Sequence, residues 1–327
     1  MRRFLLLLLV LAGLAGGAGL WWLNQPLGLK TGPVELSIEP GTSARGVAQL
    51  VADSGVEVEP MLLYGWFRLS GDARQIRAGS YELGQGTTPL TLLRKLVRGE
   101  ESLRAVTLVE GWNIRQVRET LRRAEQLKPD SAVLSDAELM DKLGRPGQHP
   151  EGRFFPDTYT YAKGASDLAV LRRALRAMDK QLTTAWEQRA PAVAVKTPDE
   201  ALILASIVEK ETGRATDRPL ISAVFNNRLR IGMRLQTDPT VIYGLGEQFD
   251  GNLRKRDLLN DTPWNTYTRA GLPPTPIAMP GKAALRAALQ PAQSKALYFV
   301  ARGDGTSQFS ATLDEHNRAV NKYQRGQ

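Results

Sequence analysis

The chain has 327 residues, 42% of them hydrophobic, with 43 Lys and Arg against 34 Asp and Glu for a net charge of +9, and it has no cysteine. That length allows two folded units with real cores, while the missing cysteines exclude a disulfide framework and thiolate chemistry. The basic residues are scattered instead of forming one long tract, so charge alone leaves nucleic acid, anionic headgroups and acidic polymers open, and position along the chain must decide among them.

Met1-Arg2-Arg3 precedes an uncharged run from Phe4 to Leu23, with Trp21 and Trp22 at its far edge. At 1.5 Å per residue this run suffices to cross a hydrocarbon layer of about 30 Å. The expectation is a transmembrane helix over 4–23, a cytoplasmic N-terminus over 1–3, a linker over 24–33 and a body exported beyond a cell inner membrane. Nucleic acid then drops out as a partner. A cleaved signal peptide competes with this reading, since Ala15-Gly16-Gly17 offers small residues after a leucine-rich core; in either case the body is extracytoplasmic.

Val34 to Ile38 alternates as a half-buried strand, Pro40-Gly41 ends it, and Thr42 or Ser43 can cap a helix through Val47, Leu50 and Val51. A second helix through Leu62, Leu63, Trp66 and Phe67, a returning strand over 78–83 and a third helix closed by Gly99 follow. This order resembles a LysM-like module, placed over 34–102, and the resemblance implies binding of N-acetylglucosamine-containing polymers. A small scaffold that binds no sugar fits the same pattern. Val109 to Val117 repeats the strand, glycine turn and capped helix of Glu39 to Val47, as common turn geometry would produce.

A connecting part spans 103–195. Residues 129–150 are polar with Pro and Gly punctuation, Glu151 to Tyr159 concentrates aromatics in a turn-rich segment, and a long basic amphipathic helix is expected from about Asp167 to Arg189.

The remaining part, 196–327, carries the chemistry. Leu204, Ile207, Val208 and Glu211 share one helical stripe through i, i+3, i+4, i+7 spacing, and Glu209 points away from it. A carboxylate among apolar neighbours has a raised pKa and can serve as a general acid; the plain alternative is a solvated helix end before Gly213. A helix over Ala223 to Leu229 and a loop or short strand over Gly232 to Thr240 crowd amides, an arginine and a carboxylate together, and Trp264 to Thr268 with Gly271 to Ile277 adds a rigid polar-aromatic loop. Such groups suit a polyhydroxylated, acetamido-bearing ligand. The candidates for holding it are Glu209, Asn227, Arg228, Gln236, Asp238, Tyr243, Asn265 and Tyr267. His149 and His316 stand far apart, so a metal site or a Ser-His-Asp triad is poorly supported, each histidine reads as structural or surface-exposed, and no cofactor is expected.

Glu151-Gly152 with Phe155 to Tyr159, Ala205 to Thr212, Asn227-Arg228-Leu229, Leu235 to Tyr243, Asn265 to Tyr267 with Gly271 to Pro274, Pro276-Ile277, and Glu315-His316-Asn317 stand in the order of a known pattern. On these motifs the chain resembles the YceG-like family of membrane-anchored endolytic murein transglycosylases. The resemblance implies an α+β fold with an N-terminal transmembrane helix, a LysM-like module and a larger catalytic domain. It also implies cleavage between N-acetylmuramic acid and N-acetylglucosamine in peptidoglycan glycan strands, a 1,6-anhydro end, Glu211 as the catalytic residue, and peptidoglycan synthases as neighbours. Thr275 stands where many members have glycine, Trp264 where tyrosine is frequent, and Ser307 where histidine is common. Glu209 remains the rival acid, and a non-catalytic scaffold or a lysozyme-like hydrolase the rival functions.

Overall fold

The alternation in Val34 to Ile38 has its consequence in the computed structural model, which describes residues 2–30, 33–100 and 102–326. Val34, Leu36 and Ile38 are buried while Glu35 and Ser37 face out, as period-two side chains require. The chain divides into two units, Met1–Arg104 with Thr160–Gly164, and Ala105–Tyr159 with Ala165–Gln327.

In the first unit the elements run α1 (Arg2–Leu23), β1 (Gly28–Leu29), β2 (Val34–Ile38), α2 (Ala44–Asp53), β3 (Val56–Glu57), α3 (Pro60–Leu69), β4 (Gly79–Leu83) and α4 (Pro89–Arg98). Strand β2 pairs antiparallel with β4, Leu36 opposite Tyr81. Ser43, not Thr42, caps α2 by accepting the Gly46 N–H, and Thr88 caps α4, which ends at Gly99 in the left-handed conformation (φ +69°). Val47, Val51, Leu63, Phe67, Tyr81, Leu92 and Leu96 close one core. The expected membrane span coincides with α1, but the side chains of Arg2, Arg3, Leu5 to Leu8, Ala12 and Ala15 lie outside the described residues. Among the described residues no helix is long and apolar enough to cross a membrane.

The chain passes into the second unit through β5 (Leu103–Thr107) and continues with α5 (Ile114–Arg123), α6 (Asp136–Lys142), β6 (Thr158–Ala162), whose last three residues belong to the first unit, α7 (Asp167–Glu187), α8 (Pro198–Glu211), α9 (Arg218–Arg230), α10 (Asp238–Leu245), a 3₁₀ turn at Gly246–Gln248, α11 (Lys255–Leu259), α12 (Lys282–Leu289), β7 (Tyr298–Ala301), β8 (Ser307–Ser310) and α13 (Leu313–Gln324). Two segments differ from the sequence reading. The punctuated stretch 129–150 contains α6, held by a reciprocal cap between Ser135 and Glu138. The segment expected as loop or strand through Thr240 is already helical from Asp238, because Pro239 lies in the first helical turn, where its missing N–H is harmless.

Helix α8 organises this unit. Thr197 caps it by accepting the Glu200 N–H at 3.1 Å, and Pro198 opens it. Ala201, Leu202, Leu204, Ala205, Ser206, Ile207 and Val208 are all buried, a wider face than one stripe, since α7, α9 and α12 all pack against it. Each fully buried Leu, Ile or Val contributes about 1.5–3 kcal/mol, so the helix bearing Glu211 is anchored by most of its length. Ser206 Oγ accepts the Ile277 N–H at 3.0 Å and fixes the proline-rich loop against α8.

Candidate active site

Helix α8 ends on Glu211, half-buried at the rim of a cavity of about 740 Å³. Burial pushes its pKa up, the neighbouring Asp238 carboxylate adds to the rise, and a hydrogen bond from Thr237 and the Arg228 guanidinium act against it. Thr237 Oγ1 donates to Glu211 Oε2 at 2.6 Å. Thr237 is the N-cap residue of α10 yet makes no side-chain capping bond; its hydroxyl is committed to the carboxylate instead. Its N–H donates to Thr266 Oγ1 at 3.1 Å, so the threonine is held from behind.

The residue before it, Gln236, has φ +47°, a conformation that side chains with a Cβ rarely adopt. Its N–H donates to Thr266 O at 3.1 Å, and its side chain is exposed at the cavity. Strain of this kind, of order 1–3 kcal/mol, persists where the surroundings fix the backbone, and it concentrates at functional sites. Asp238 and Tyr267 close the same part of the lining, with Tyr267 OH donating to Asp238 Oδ1 at 2.5 Å.

Arg228 is buried and donates through Nε to Leu297 O at 2.7 Å and through Nη1 to Leu235 O at 2.6 Å. It thereby ties α9 to the turn carrying Gln236 and to β7, and its guanidinium lies 5.4 Å from the Tyr298 ring centre. His316 stacks on Tyr298 at 5.2 Å. Burial and the nearby Arg228 cation lower its pKa, so its imidazole is neutral at neutral pH. Its Nδ1 is buried without a hydrogen-bond partner. The cavity therefore joins one carboxyl group with a raised pKa to amide, carboxylate, phenol and aromatic groups. Among the described residues no group of three or more His, Cys, Asp or Glu could hold a metal ion.

A family model described as the YceG-like family matches residues 36–322. The chain belongs to the YceG-like family. It is 31% identical over 312 residues to the endolytic murein transglycosylase of Bacillus subtilis (strain 168), covering 89% of this chain and 84% of that protein. The endolytic murein transglycosylase of Streptococcus pneumoniae serotype 2 (strain D39) is 26% identical over 322 residues, 88% of this chain and 58% of that protein. A crystal structure of a yceG-like protein from Listeria monocytogenes superposes with a TM-score of 0.55 at 29% identity, covering 88% of this chain and 98% of that one. With these relatives, the YceG-like chain is an enzyme, a lyase of the lytic transglycosylase kind.

In this YceG-like chain the sequence-selected residues divide into two groups. Glu211, Arg228, Gln236, Asp238 and Tyr267 line the cavity. The other four are built into the scaffold. Glu209 Oε2 accepts the Gly281 N–H at 2.9 Å, at the start of α12, and its carboxylate faces Arg218 at 3.9 Å. Burial, and secondarily the Glu110 carboxylate, push its pKa up, while the Gly281 N–H opposes the rise. Asn227 Nδ2 donates to Ser294 O and Ala296 O, both at 2.9 Å. Asn265, fully buried, donates to Leu258 O and Asn260 O and accepts the Tyr267 N–H at 2.8 Å, which places Tyr267. Tyr243 OH donates to Oε2 of the fully buried Glu151 at 3.0 Å.

Sequence reasoning missed Thr237, Tyr298 and His316 as cavity residues. Thr237 stood between two chosen residues without a signal of its own. His316 belonged to the Glu315-His316-Asn317 motif but was read as structural or surface-exposed.

Proposed function

We propose that the chain cleaves the bond between N-acetylmuramic acid and N-acetylglucosamine within peptidoglycan glycan strands and leaves a 1,6-anhydro-N-acetylmuramic end. The observation that carries this reading is Glu211 itself, a carboxyl group kept towards its acid form by burial, fixed by Thr237 at 2.6 Å and facing a cavity roomy enough for sugar rings. Protonated Glu211 donates to the glycosidic oxygen as the bond to C1 breaks. The resulting carboxylate then takes the proton of the muramic C6 hydroxyl as that oxygen closes on C1. The proton passes from O6 to the leaving oxygen in two steps, and no water is consumed. Gln236, Asp238 and Tyr267 orient the sugars, and the substrate's acetamido group shields the cationic centre.

The wider setting belongs to the same reading. The arginines before the run 4–23 and the tryptophans after it support a single-pass inner-membrane anchor with a periplasmic body. The element order of 34–102 supports a LysM-like module that meets the glycan, and the anchor would hold the enzyme near peptidoglycan synthases, where it ends nascent strands.

Asp238 favours one second reading. It puts another carboxylate in the cavity, as a lysozyme-like hydrolase would need for its nucleophile or base. Mass spectrometry of sacculi digested with the unaltered chain and with Glu211→Gln decides the matter. Anhydro-ended fragments that vanish with Glu211→Gln support the proposal. Products heavier by one water identify a hydrolase, and no fragments at all would leave a non-catalytic scaffold.

A further inference from the structure

The second unit holds another depression, of about 520 Å³, that no step above uses. Trp112, Asn113, Arg115, Gln116 and Glu247 are among its lining residues. Trp112 is half-buried and sits on a rigid support: its N–H donates to Val109 O at 3.3 Å, its O accepts the Met279 N–H at 2.7 Å, and the Gly111 N–H donates to Met279 O at 2.9 Å. Asn113 and Gln116 cap α5 reciprocally, each side-chain oxygen accepting the other's backbone N–H at 3.0 Å. This geometry uses up both amide oxygens and leaves both NH₂ groups as the outer ends. Neither NH₂ group has a hydrogen-bond partner among the described residues, nor has the Arg115 guanidinium. Glu119, by contrast, is taken by Arg122 and Arg123.

The depression thus offers an aromatic face ringed by unused donors, with Glu247 as an exposed carboxylate. A ligand that fits has a flat C–H face for the indole, carbonyl oxygens for the amide and guanidinium donors, and hydroxyls for the carboxylate. An N-acetylated pyranose has all three. Placement adds a second argument. Asp238, in the cavity of Glu211, opens α10, and Glu247 follows directly on its other end. Eight helical residues span about 12 Å, the scale of a few linked sugar rings. The Gly111 turn also rests on the last turn of α8, with Lys210 Nζ donating to Gly111 O at 3.3 Å. The two depressions therefore lie at opposite ends of α10, with Asp238 lining one and Glu247, two residues past Leu245, lining the other.

We propose that the Trp112 depression is an accessory subsite that binds an N-acetylated amino sugar of the same strand, a few rings from the bond held at Glu211. This rests on the glycan-cleaving reading above. A strand gripped away from the cut has to extend past the catalytic cavity, so the subsite favours internal bonds over chain ends.

The test is calorimetric binding of a long β-1,4-linked N-acetylglucosamine oligomer to the full chain carrying Glu211→Gln, which binds without cleaving. Adding Trp112→Ala is expected to weaken binding about tenfold, and Trp112→Phe, which keeps a flat ring, to restore most of it. Arg115→Ala, at an exposed position without hydrogen bonds, is expected to weaken binding roughly threefold and keeps the test open should Trp112→Ala unfold. Unchanged affinity in the folded variants overturns the subsite and leaves the Glu211 reading standing. Oligomer binding that depends on Trp112 in a chain that releases no fragments from sacculi upholds the subsite and overturns the cleavage reading.

Discussion

Replacing Thr237 with valine probes how the acid is tuned. The Thr237 hydroxyl donates to Glu211 Oε2 at 2.6 Å, and a donor on a carboxylate favours its ionised form. Burial and Asp238 favour the protonated form and prevail, so the pKa is raised in the intact protein. Valine nearly matches threonine in shape and suits a buried position, with Thr237 only 2% exposed. The substitution removes one short, charge-assisted bond, worth about 2 kcal/mol in favour of the carboxylate. With that bond gone, Glu211 holds its proton to higher pH. Measured as fragment release from soluble glycan strands across neutral pH, the alkaline limb of kcat/KM is expected to move up in Thr237→Val and to stay in place in Thr237→Ser, which keeps the hydroxyl. An alkaline limb that stays still or moves down in Thr237→Val would mean that Glu211 is not the group titrating in that limb.

Glu211→Gln is expected to lower turnover by about two to four orders of magnitude, whereas Glu209→Gln, which keeps an acceptor for the Gly281 N–H, stays within a few-fold; initial rates on sacculi compare them, and the reverse ranking would make Glu209 the acid. Glu151 is fully buried and its pKa is pushed up to about 7 by burial, against the hydrogen bonds from Ile114, Tyr243 and Gly152. Because the folded pKa exceeds the unfolded one, the native state binds more protons between about pH 4.5 and 7, and stability falls across that window as pH rises, by roughly 3 kcal/mol. Urea unfolding at several pH values is expected to show this slope and its flattening in Glu151→Gln; an identical slope in both refutes the assignment. Gln236→Gly relieves the φ of +47° and is expected to raise stability by about 1 kcal/mol while lowering activity. A lower unfolding midpoint would show that the backbone there is not strained.

That Glu211 is half-buried was legible because Leu204, Ile207 and Val208 precede it on one helical stripe, but α8 is buried on more than that stripe, and Glu209, which the stripe places on the outer side, is half-buried as well. The strands and caps of the first unit were legible from local spacing too, since Ser43 and Thr88 lie within three residues of the N–H groups they satisfy. What the sequence could not show is which polar side chains the fold consumes internally. Asn265 and Gln236 look alike as candidates, yet Asn265 gives its amide to the backbone carbonyls of 258 and 260, while Gln236 is turned outward by an unusual φ. The Thr237 bond to Glu211 joins residues 26 apart through a turn whose conformation no residue type announces.

Trp264 and Thr275 act together in the fold. Trp264 Nε1 donates to Thr275 Oγ1 at 2.9 Å, and the Thr275 hydroxyl donates onward to Pro276 O at 2.9 Å. A glycine at 275 would offer the indole no side-chain acceptor, so the Thr275 hydroxyl is what holds the indole N–H. The Trp264 ring also packs edge-on against Tyr243, 5.4 Å between centres, and Tyr243 reaches Glu151. Next to Glu151, Gly152 has φ +78°, and a Cβ there would lie 2.5 Å from Pro276 Cβ, so the proline loop and the Glu151 turn require each other. This chain of contacts fixes α10 through Tyr243, and the first turn of α10 carries the groups that face Glu211. The Glu211 carboxyl is thereby positioned from two directions, by its own buried helix and by a helix locked through the Trp264–Thr275 pair.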